Sequence, residues 1–392
     1  MRHTMKNDNY FYIPQLQKRK VKARRFELFA KSALFLSLAF LVFFLYEMVR
    51  QGYPAFNQAY VKVDINLTQD VQNNPYSAFT KDEMKIISRA WIRSLPMMMK
   101  DDPTLLETTA TIWAPTAAEV DQYLKNHTNK LTDALKEKVN KLKDEGKIQS
   151  QFSTIFFFTG DSKIPENAGF YSAILGSLLT MLVTMAIAVP LGIMTAIYLE
   201  EFAKDNKWTQ MVEININNLA AIPSILFGLL GLAIFINFFG APRSSPIVGG
   251  MTLALMSLPV IIVSSKAALK AVPDTIRQAG FGLGLTRWQI VRDHVLPIAF
   301  PGMLTGSIIA LAQAIGETAP LIIVGMIAFV PDATTSIFDA ATVMPAQIYT
   351  WSGMPERMYT EKTAAGILVL LTILLSLNAI AIYLRKKFTK TW

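Results

Sequence analysis

Six long apolar blocks limit what this chain of 392 residues can fold into. A bilayer core about 30 Å thick is crossed by roughly 20 apolar residues in a helix, and each block meets or approaches that length. With 52% hydrophobic and 17% charged residues, the composition is too apolar for a soluble globule of this size. Because lipid offers no hydrogen-bond partners to an open backbone, we predict six membrane helices. The blocks are residues 32–49, 169–199, 216–240, 247–265, 298–330 and 363–384.

The distribution of lysine and arginine predicts the orientation of these helices. Residues 1–31 contain nine basic and two acidic residues, and the loop 266–297 contains five basic and two acidic ones. Six spans place both segments and the C-terminal tail on one side, which the positive-inside rule makes the cytoplasm. A span follows the basic arm directly, so we read the arm as a topology signal and expect no nucleic-acid partner. The first span is too long for a signal-peptide core and is predicted to be an uncleaved anchor. The tail contributes Arg385, Lys386, Lys387 and Lys390.

The segment 50–167 then lies outside, in contact with water. It is nearly neutral, with 15 acidic residues and, leaving out Arg50, 14 basic ones. Residues 80–92 and 117–144 have the pattern of helices, whereas 108–114 and 148–158 have that of strands, which together predict a small α+β domain. The chain has no cysteine, so no disulfide stabilises this domain. A spacer or docking module and a ligand-binding sensor both remain open for it.

The loop before the fifth span contains RQAGFGLGLTRWQIVRDHVLP, residues 277–297. Pro273 and Asp274 favour the start of a first helix, and Gly284 favours its end in the left-handed conformation. Thr286 and Gln289 have the spacing of a capping box that opens a second helix, and Leu296 with Pro297 is expected to close it. The alternating glycines follow no strand, and the chain has no GxxxxGK[ST] loop, so a phosphate-binding loop for ATP is not predicted. Small helical residues instead predict close approach of another surface.

This pattern resembles the EAA loop of ABC importer permeases. The loop has the form E-A-A-x3-G-x9-I-x-L-P, and the spacing from Gly284 to the closing Leu-Pro pair is the same here. Gln278, Gly280 and His294 depart from it. The stretches Asn167-Ala-Gly-Phe-x-Ser-Ala-Ile, Ala221-Ile-Pro-Ser-Ile-Leu-Phe-Gly and Ala314-Ile-Gly-Glu-Thr-Ala-Pro are similar to the phosphate-specific transport permeases of the A-type (PstA-like) subunit.

The resemblance covers about residues 167–392 and implies a type I ABC importer permease in a bacterial inner membrane. The expected organisation is a basic arm (1–31), a first membrane helix (32–49), an external domain (50–167) and a core (168–392) with five membrane helices. The implied partners are a second permease subunit in a heterodimer, two cytoplasmic ATPase subunits, an external phosphate-binding protein and membrane lipid. ATP is used by the ATPase subunits, and we expect this chain to bind no cofactor or metal and to be no enzyme.

Two groups of residues are the candidate functional sites. Residues 271–297, here called the coupling segment, are predicted to dock the ATPase, and Arg277 and Arg287 are predicted either to pair with its acids or to remain solvated. Within the fifth span, Glu317 is predicted to face protein or the anion path, unless Thr318 and the following Ala-Pro break the helix and leave it in water. The coupling residues are Arg277, Gln278, Ala279, Gly280, Gly284, Arg287, Leu296 and Pro297.

The short loop before the fourth span is the second candidate on the anion path. Ser245 and Pro246 predict a helix start, and Arg243, Ser244 and Ser245 are candidates to receive phosphate or to dock the binding protein. A plain turn with a solvated arginine is the competing interpretation. For the function, the alternative is a permease for another oxyanion, since such an anion would suit the same pore. A secondary transporter or a membrane sensor fits less well, since only one ionisable group lies deep in a predicted span and eight residues follow the last one.

Overall fold

The computed structural model describes residues 14–327 and 329–388. The beginning of the predicted basic arm and Lys390 therefore lie outside the described residues. The first helix, α1, runs over Pro14–Gly52 and joins the end of the arm to the predicted span in one helix. The chain divides after Gln51 into two compact units, of which α1 makes the first. We describe the second unit by itself.

The second unit begins with an antiparallel three-stranded sheet in the order β2-β1-β3. The strands are β1 (Asn57–Leu67), β2 (Thr108–Pro115) and β3 (Ile148–Phe152). In β1 the buried side chains recur at alternate positions, including Val61, Ile65 and Leu67, so one face of the sheet packs into a core. The central strand, β1, was not among the predicted strands. Its alternation of apolar and polar residues was a sufficient signal.

Helices cover this sheet and complete the predicted α+β domain. The predicted helix 80–92 is divided at Ser88, whose side chain accepts a hydrogen bond from the backbone N–H of Trp91 and caps α4. The predicted helix 117–144 is likewise two helices. The predicted strand 148–158 ends early, because the Ser153 side chain caps a short helix over its aromatic end. The helices are α2 (Gln69–Asn73), α3 (Glu83–Ile86), α4 (Arg89–Asp101), α5 (Ala118–Leu124), α6 (Asp133–Asp144) and α7 (Thr154–Phe158).

Ten further α-helices follow in the described part of the second unit. Five helices of the described chain are long and apolar enough to cross a membrane: Lys18–Phe56, Tyr171–Phe202, Pro246–Lys270, Arg287–Ile315 and Arg357–Lys387. The ten are α8 (Tyr171–Ile197), α9 (Lys207–Ala220), α10 (Ser224–Leu230), α11 (Pro246–Lys270), α12 (Asp274–Gly282), α13 (Arg287–Ile290), α14 (Leu296–Ile315), α15 (Ala319–Ile323), α16 (Met344–Ser352) and α17 (Arg357–Phe388).

The predicted span 216–240 is broken rather than straight. The helices Lys207–Ala220 and Ser224–Phe238 meet at an angle of 108°, and the pair brings the number of candidate crossings to six. Pro223 stands at the break. Proline has no N–H to donate and disfavours a helical conformation in the residue before it, so a helix ends here readily.

The predicted span 298–330 also differs from the structure. Its helix begins earlier, at Arg287, and ends at Ile315. Gly316 follows, and Pro320 lies in the first turn of the five-residue helix α15. Glu317 is therefore in the short break between α14 and α15 and not inside a continuous membrane helix, which is the alternative that the Ala-Pro pair predicted.

Small residues allow the long helices to pack closely. A Cβ atom on Gly192 of α8 would lie 2.6 Å from Ile261 of α11, and one on Gly250 of α11 would lie 2.5 Å from Val183 of α8. Close approach of this kind holds helices together in lipid, where apolar burial alone gives little preference for protein over solvent. The helices α8 and α11 are thus in close contact at two positions along their length, at Gly192 and at Gly250.

Candidate functional site

The coupling segment contains the short helix α12, a turn, and the start of a second helix at Arg287. Gly284 ends the first stretch with a φ of +80°, as expected for a left-handed glycine. The Thr286 side chain accepts from the backbone of Gln289, and the Gln289 side chain accepts from the backbone of Thr286, so the predicted capping box is present. The local signals of the sequence therefore predicted both helix starts and the turn between them.

The prediction that Leu296 and Pro297 close the second helix is wrong. The helix continues without interruption from Arg287 to Ile315. Residues Val291–Val295 form a π-helical turn just before Pro297. A π turn shifts the hydrogen-bond register by one residue, which accommodates a proline that lacks an N–H. The second helix of the coupling segment is consequently continuous with α14, whereas α12 is separated from it by the turn at Gly284.

Gly280 is packed inside the coupling segment, against Ile290. It is buried, and a Cβ atom there would lie 2.6 Å from Cγ1 of Ile290. Our expectation that Gly280 presents its surface to a partner is therefore corrected, because its free side is filled by Ile290 of the same chain. The small residue brings α12 and α13 together.

Three large apolar side chains are exposed on the same segment. Leu283 is 81% exposed, Trp288 54% and Phe281 53%. A loop that faces water gains nothing from this arrangement, and clustered exposed apolar residues in such a place mark an interaction surface. None of the three was among the predicted docking residues, although Phe281 and Leu283 alternate with the glycines at 280, 282 and 284.

Arg277 is held by its own chain. Its Nη2 lies 2.6 Å from Oε1 of Glu201, and its Nε donates to Oε2 of Glu201 over 3.3 Å. The guanidinium also donates to the carbonyls of Leu269 and Val272, at 3.0 and 2.8 Å, and to Asp274. The carboxylate of Glu201 raises the pKa of Arg277 above its ordinary value. The predicted pairing of Arg277 with acids of the ATPase is thus replaced by intrachain pairing.

The remaining predicted docking residues lie mostly at the surface of the described structure. Gln278, Ala279, Gly284, Arg287 and Pro297 are exposed, and Leu296 is half-buried. No neighbouring atom lies within 4 Å of the position that a Cβ atom on Gly284 would occupy. These residues share the exposed side of the segment with Phe281, Leu283 and Trp288, in agreement with a docking role that remains a prediction.

The structure also places the predicted path residues. Glu317 and Thr318 are half-buried at the break after α14. Arg243 is exposed in the loop before α11. Ser244 donates its hydroxyl to the carbonyl of Gly325 over 2.7 Å, and the buried Ser245 donates to Pro242 over 2.5 Å. Both serine hydroxyls therefore have protein acceptors, so their predicted role as anion-binding donors is not supported.

Two further observations restrict the chemistry. Across residues 14–327 and 329–388, no group of three or more His, Asp or Glu side chains is placed to hold a metal ion. The start of α11 matches the prediction in position, with Ser245 extended and Pro246 in the first turn, but the Ser245 side chain makes no capping bond.

Comparisons with known proteins agree with this arrangement. Residues 188–390 match the family described as binding-protein-dependent transport system inner membrane component, and residues 14–85 match a family described as a domain of unknown function, DUF3333. Phosphate transport system permease protein PstA 1 of Mycobacterium tuberculosis (strain CDC 1551 / Oshkosh) is 30% identical over 225 residues, covering 57% of this chain and 73% of the relative.

Two further proteins are similar. Phosphate transport system permease protein PstA of Yersinia pestis is 32% identical over 241 residues, covering 60% of this chain and 79% of the relative. The inward-facing MetNI methionine ABC transporter is 18% identical with a TM-score of 0.45, covering 57% of this chain and 95% of that chain. With several membrane helices, a coupling segment joined to one of them and a family match over residues 188–390, this chain belongs to the binding-protein-dependent transport system inner membrane components, the permeases of ABC importers.

Proposed function

We propose that this chain forms half of the pore of an ATP-driven importer for inorganic phosphate in a bacterial inner membrane. A second permease subunit completes the pore as a heterodimer, and a periplasmic phosphate-binding protein delivers the anion. Two cytoplasmic ATPase subunits hydrolyse ATP and drive the pore through the coupling segment. Both termini of this chain lie in the cytoplasm. The chain itself contributes positioning and a passage rather than catalysis.

One observation carries the mechanical part of this proposal. The exposed side chains of Phe281, Leu283 and Trp288 lie on the coupling segment, and the helix that contains Trp288 continues from Arg287 through α14 to Ile315. A hydrophobic anchor on a polar rim is the usual centre of a protein interface. Force applied by a partner at Trp288 is passed along this continuous helix. We therefore assign the ATPase contact to this exposed side.

Substituting Leu283 tests the docking surface. Leu283→Asp puts a charge at the centre of the interface, where it would be desolvated without a partner. We expect loss of the co-purified ATPase subunit and of uptake. The matched control is Met97→Asp on α4, where the wild-type side chain is 67% exposed. Normal uptake and normal co-purification of the Leu283→Asp variant would contradict the assignment.

The substrate rests on the names of the relatives, which are phosphate permeases. Sulfate, molybdate and other tetrahedral oxyanions have similar size and charge, so the alternative is a permease for one of these. Uptake of labelled phosphate by a deletion strain, with and without complementation and with sulfate as competitor, separates the two. A deletion strain that takes up phosphate normally at low external concentration would contradict phosphate as the substrate.

The anion path is proposed to pass Glu317 and Arg243. A half-buried carboxylate beside the anion path serves as a gate or a hydrogen-bonding group. Glu317→Gln is expected to impair uptake with assembly unchanged. Uptake equal to that of the wild type would remove Glu317 from the path.

A further inference from the structure

Arg277 and Glu201 connect two elements that are far apart in sequence. Arg277 lies in α12 of the coupling segment, and Glu201 lies in the π-helical turn Tyr198–Phe202 that ends α8. Their side chains are 18% and 4% exposed. Because the carboxylate is removed from water, the pair depends on its geometry far more than a surface ion pair does.

The guanidinium has an acceptor for each of its five N–H groups. Two bonds go to the carboxylate oxygens of Glu201, and one each to the carbonyls of Leu269 and Val272 and to the carboxylate of Asp274. Leu269 lies in the last turn of α11, and Val272 follows that helix. A single side chain therefore fixes the ends of α8 and α11 to α12. Lysine has neither the number nor the planar arrangement of donors to do this.

The neighbouring acid strengthens the same connection. Glu200 lies 3.9 Å from Lys266 of α11, and Lys266 also pairs with Glu213 of α9. Consecutive carboxylates on one π turn thus bind α11 and α12. Further along, α8 and α11 are in close contact at Gly192 and Gly250. A displacement of α12 is consequently passed to a packed pair of membrane helices and not only to α14.

We propose that Glu201 and Arg277 form a joint that makes the coupling segment and the C-terminal end of α8 move as one body during transport. Arg277 acts as a positioning residue, since it does not touch the transported anion. The inference rests on the proposed function, in which partner ATPases act on the coupling segment. The joint gives a displacement of the coupling segment a second route, through α8. The first route is the helix that continues from Arg287 into α14.

Glu201→Gln and Arg277→Lys test the joint in the assembled transporter. Each variant loses part of the bidentate pair, and we expect the ATPase subunit to co-purify in normal amount. Uptake should fall by about ten-fold or more, and more ATP should be hydrolysed per phosphate imported. The control is Glu145→Gln, which removes the exposed pair of Glu145 with Lys147. Its uptake should equal that of the wild type.

A distance measurement tests the joint without transport. The chain has no cysteine, so Tyr198→Cys and Thr275→Cys provide two unique positions for spin labels, both exposed. The label-to-label distance distribution should be narrow and unchanged by ATP, and it should broaden when Glu201→Gln is added.

The outcomes separate the joint from the proposed function. Three results would overturn the joint: normal uptake in both variants, a distance distribution that Glu201→Gln does not broaden, or loss of the ATPase in parallel with loss of uptake. A wild-type complex that hydrolyses ATP without importing phosphate would overturn the proposed function. The distance measurement would still decide on the joint.

Discussion

At the scale of single residues, glycine positions in the coupling segment have different causes. Gly280 is small because Ile290 occupies the adjacent space, whereas Gly284 is glycine because its φ of +80° strains any other residue. A Cβ atom added to Gly282 would have no neighbouring atom within 4 Å. Its φ is not positive. The sequence predicted the left-handed role of Gly284, but it did not distinguish Gly280 from Gly282, which differ only in their packing.

Gly280→Ala should destabilise the coupling segment by about 1–3 kcal/mol, because the new methyl group overlaps Ile290. Ile290→Val on the same chain should recover part of this loss. Gly282→Ala is the control and should be neutral or stabilising by up to about 1 kcal/mol. Thermal unfolding of the purified protein measures all three. Equal effects of the alanine substitutions at 280 and 282 would contradict the packing argument.

Glu166 predicts a pH dependence of stability. Burial raises the pKa of Glu166 above its ordinary value of 4.5, and hydrogen bonds and the charge of Lys362 offset only part of this effect. An acid whose folded pKa is raised contributes stability that is complete below the unfolded pKa and is lost as the pH rises through the folded pKa. Glu166→Gln does not titrate.

The stability of wild type relative to Glu166→Gln should therefore fall as the pH rises from about 4.5. Unfolding midpoints of both proteins, compared from pH 4 to pH 8, provide the measurement. Glu137→Gln, at an exposed position of α6, is the control. A difference between wild type and Glu166→Gln that is independent of pH would show that Glu166 has no raised pKa.

Arg243 is the exposed residue of the candidate anion path. Its guanidinium can pair bidentately with phosphate oxygens, whereas the hydroxyls of Ser244 and Ser245 are already bound to carbonyls. Arg243→Gln should raise the apparent KM for phosphate several-fold with little change in kcat. Lys147→Gln, which removes an exposed charge in the α+β domain, is the control. Unaltered uptake kinetics would support a plain turn with a solvated arginine.

At the scale of elements, the sequence predicted what local chemistry determines. The positions of α12 and α13 follow from Asp274, Gly284 and the Thr286–Gln289 capping box. The break between α9 and α10 and the continuation of the helix through Pro297 were not predicted. Hydropathy is averaged over a block, so it does not show where the helix axis bends within that block. A π turn depends on packing that no local motif encodes.

Thr286→Ala tests the capping box as a structural element. It removes the acceptor for the backbone of Gln289 and should cost about 0.5–2 kcal/mol of local stability. Hydrogen exchange of residues 286–290 should become faster, while exchange in α14 beyond residue 300 stays unchanged. Thr275→Ala, at an exposed non-capping position of α12, is the control. Equal hydrogen-exchange rates in wild type and Thr286→Ala would mean that tertiary contacts, and not the capping box, stabilise the start of α13.

At the scale of the whole second unit, the α+β domain is fastened to the membrane helices. Trp351 donates its indole N–H to Asp161 over 2.9 Å, and the Tyr359 hydroxyl donates to the carbonyl of Ser162 over 2.7 Å. Glu361 of α17 accepts from Lys125 and pairs with His127 at 2.6 Å. A buried polar network of this kind fixes one arrangement. The α+β domain is thus held against α16 and α17 by hydrogen bonds and ion pairs.

The bent pair α9 and α10 decides the topology of the whole chain. If the pair crosses the membrane once, six crossings place the coupling segment and both termini in the cytoplasm. If the pair re-enters on the same side, everything after it is inverted, and the coupling segment faces outward with the basic loop 266–297. The positive-inside rule opposes that second arrangement.

Single cysteines in this cysteine-free chain distinguish the two topologies. Lys141→Cys on α6 should react with an impermeant maleimide in cells whose outer membrane has been opened. Asp205→Cys and Leu283→Cys should react only after the inner membrane is permeabilised, because both sites face the cytoplasm when the pair crosses once. Asp205 precedes the bent pair and Leu283 follows it, so the comparison isolates this one crossing. Reaction of Leu283→Cys in intact inner membranes, with Asp205→Cys protected, would show that the pair re-enters and would invert the proposed position of the coupling segment.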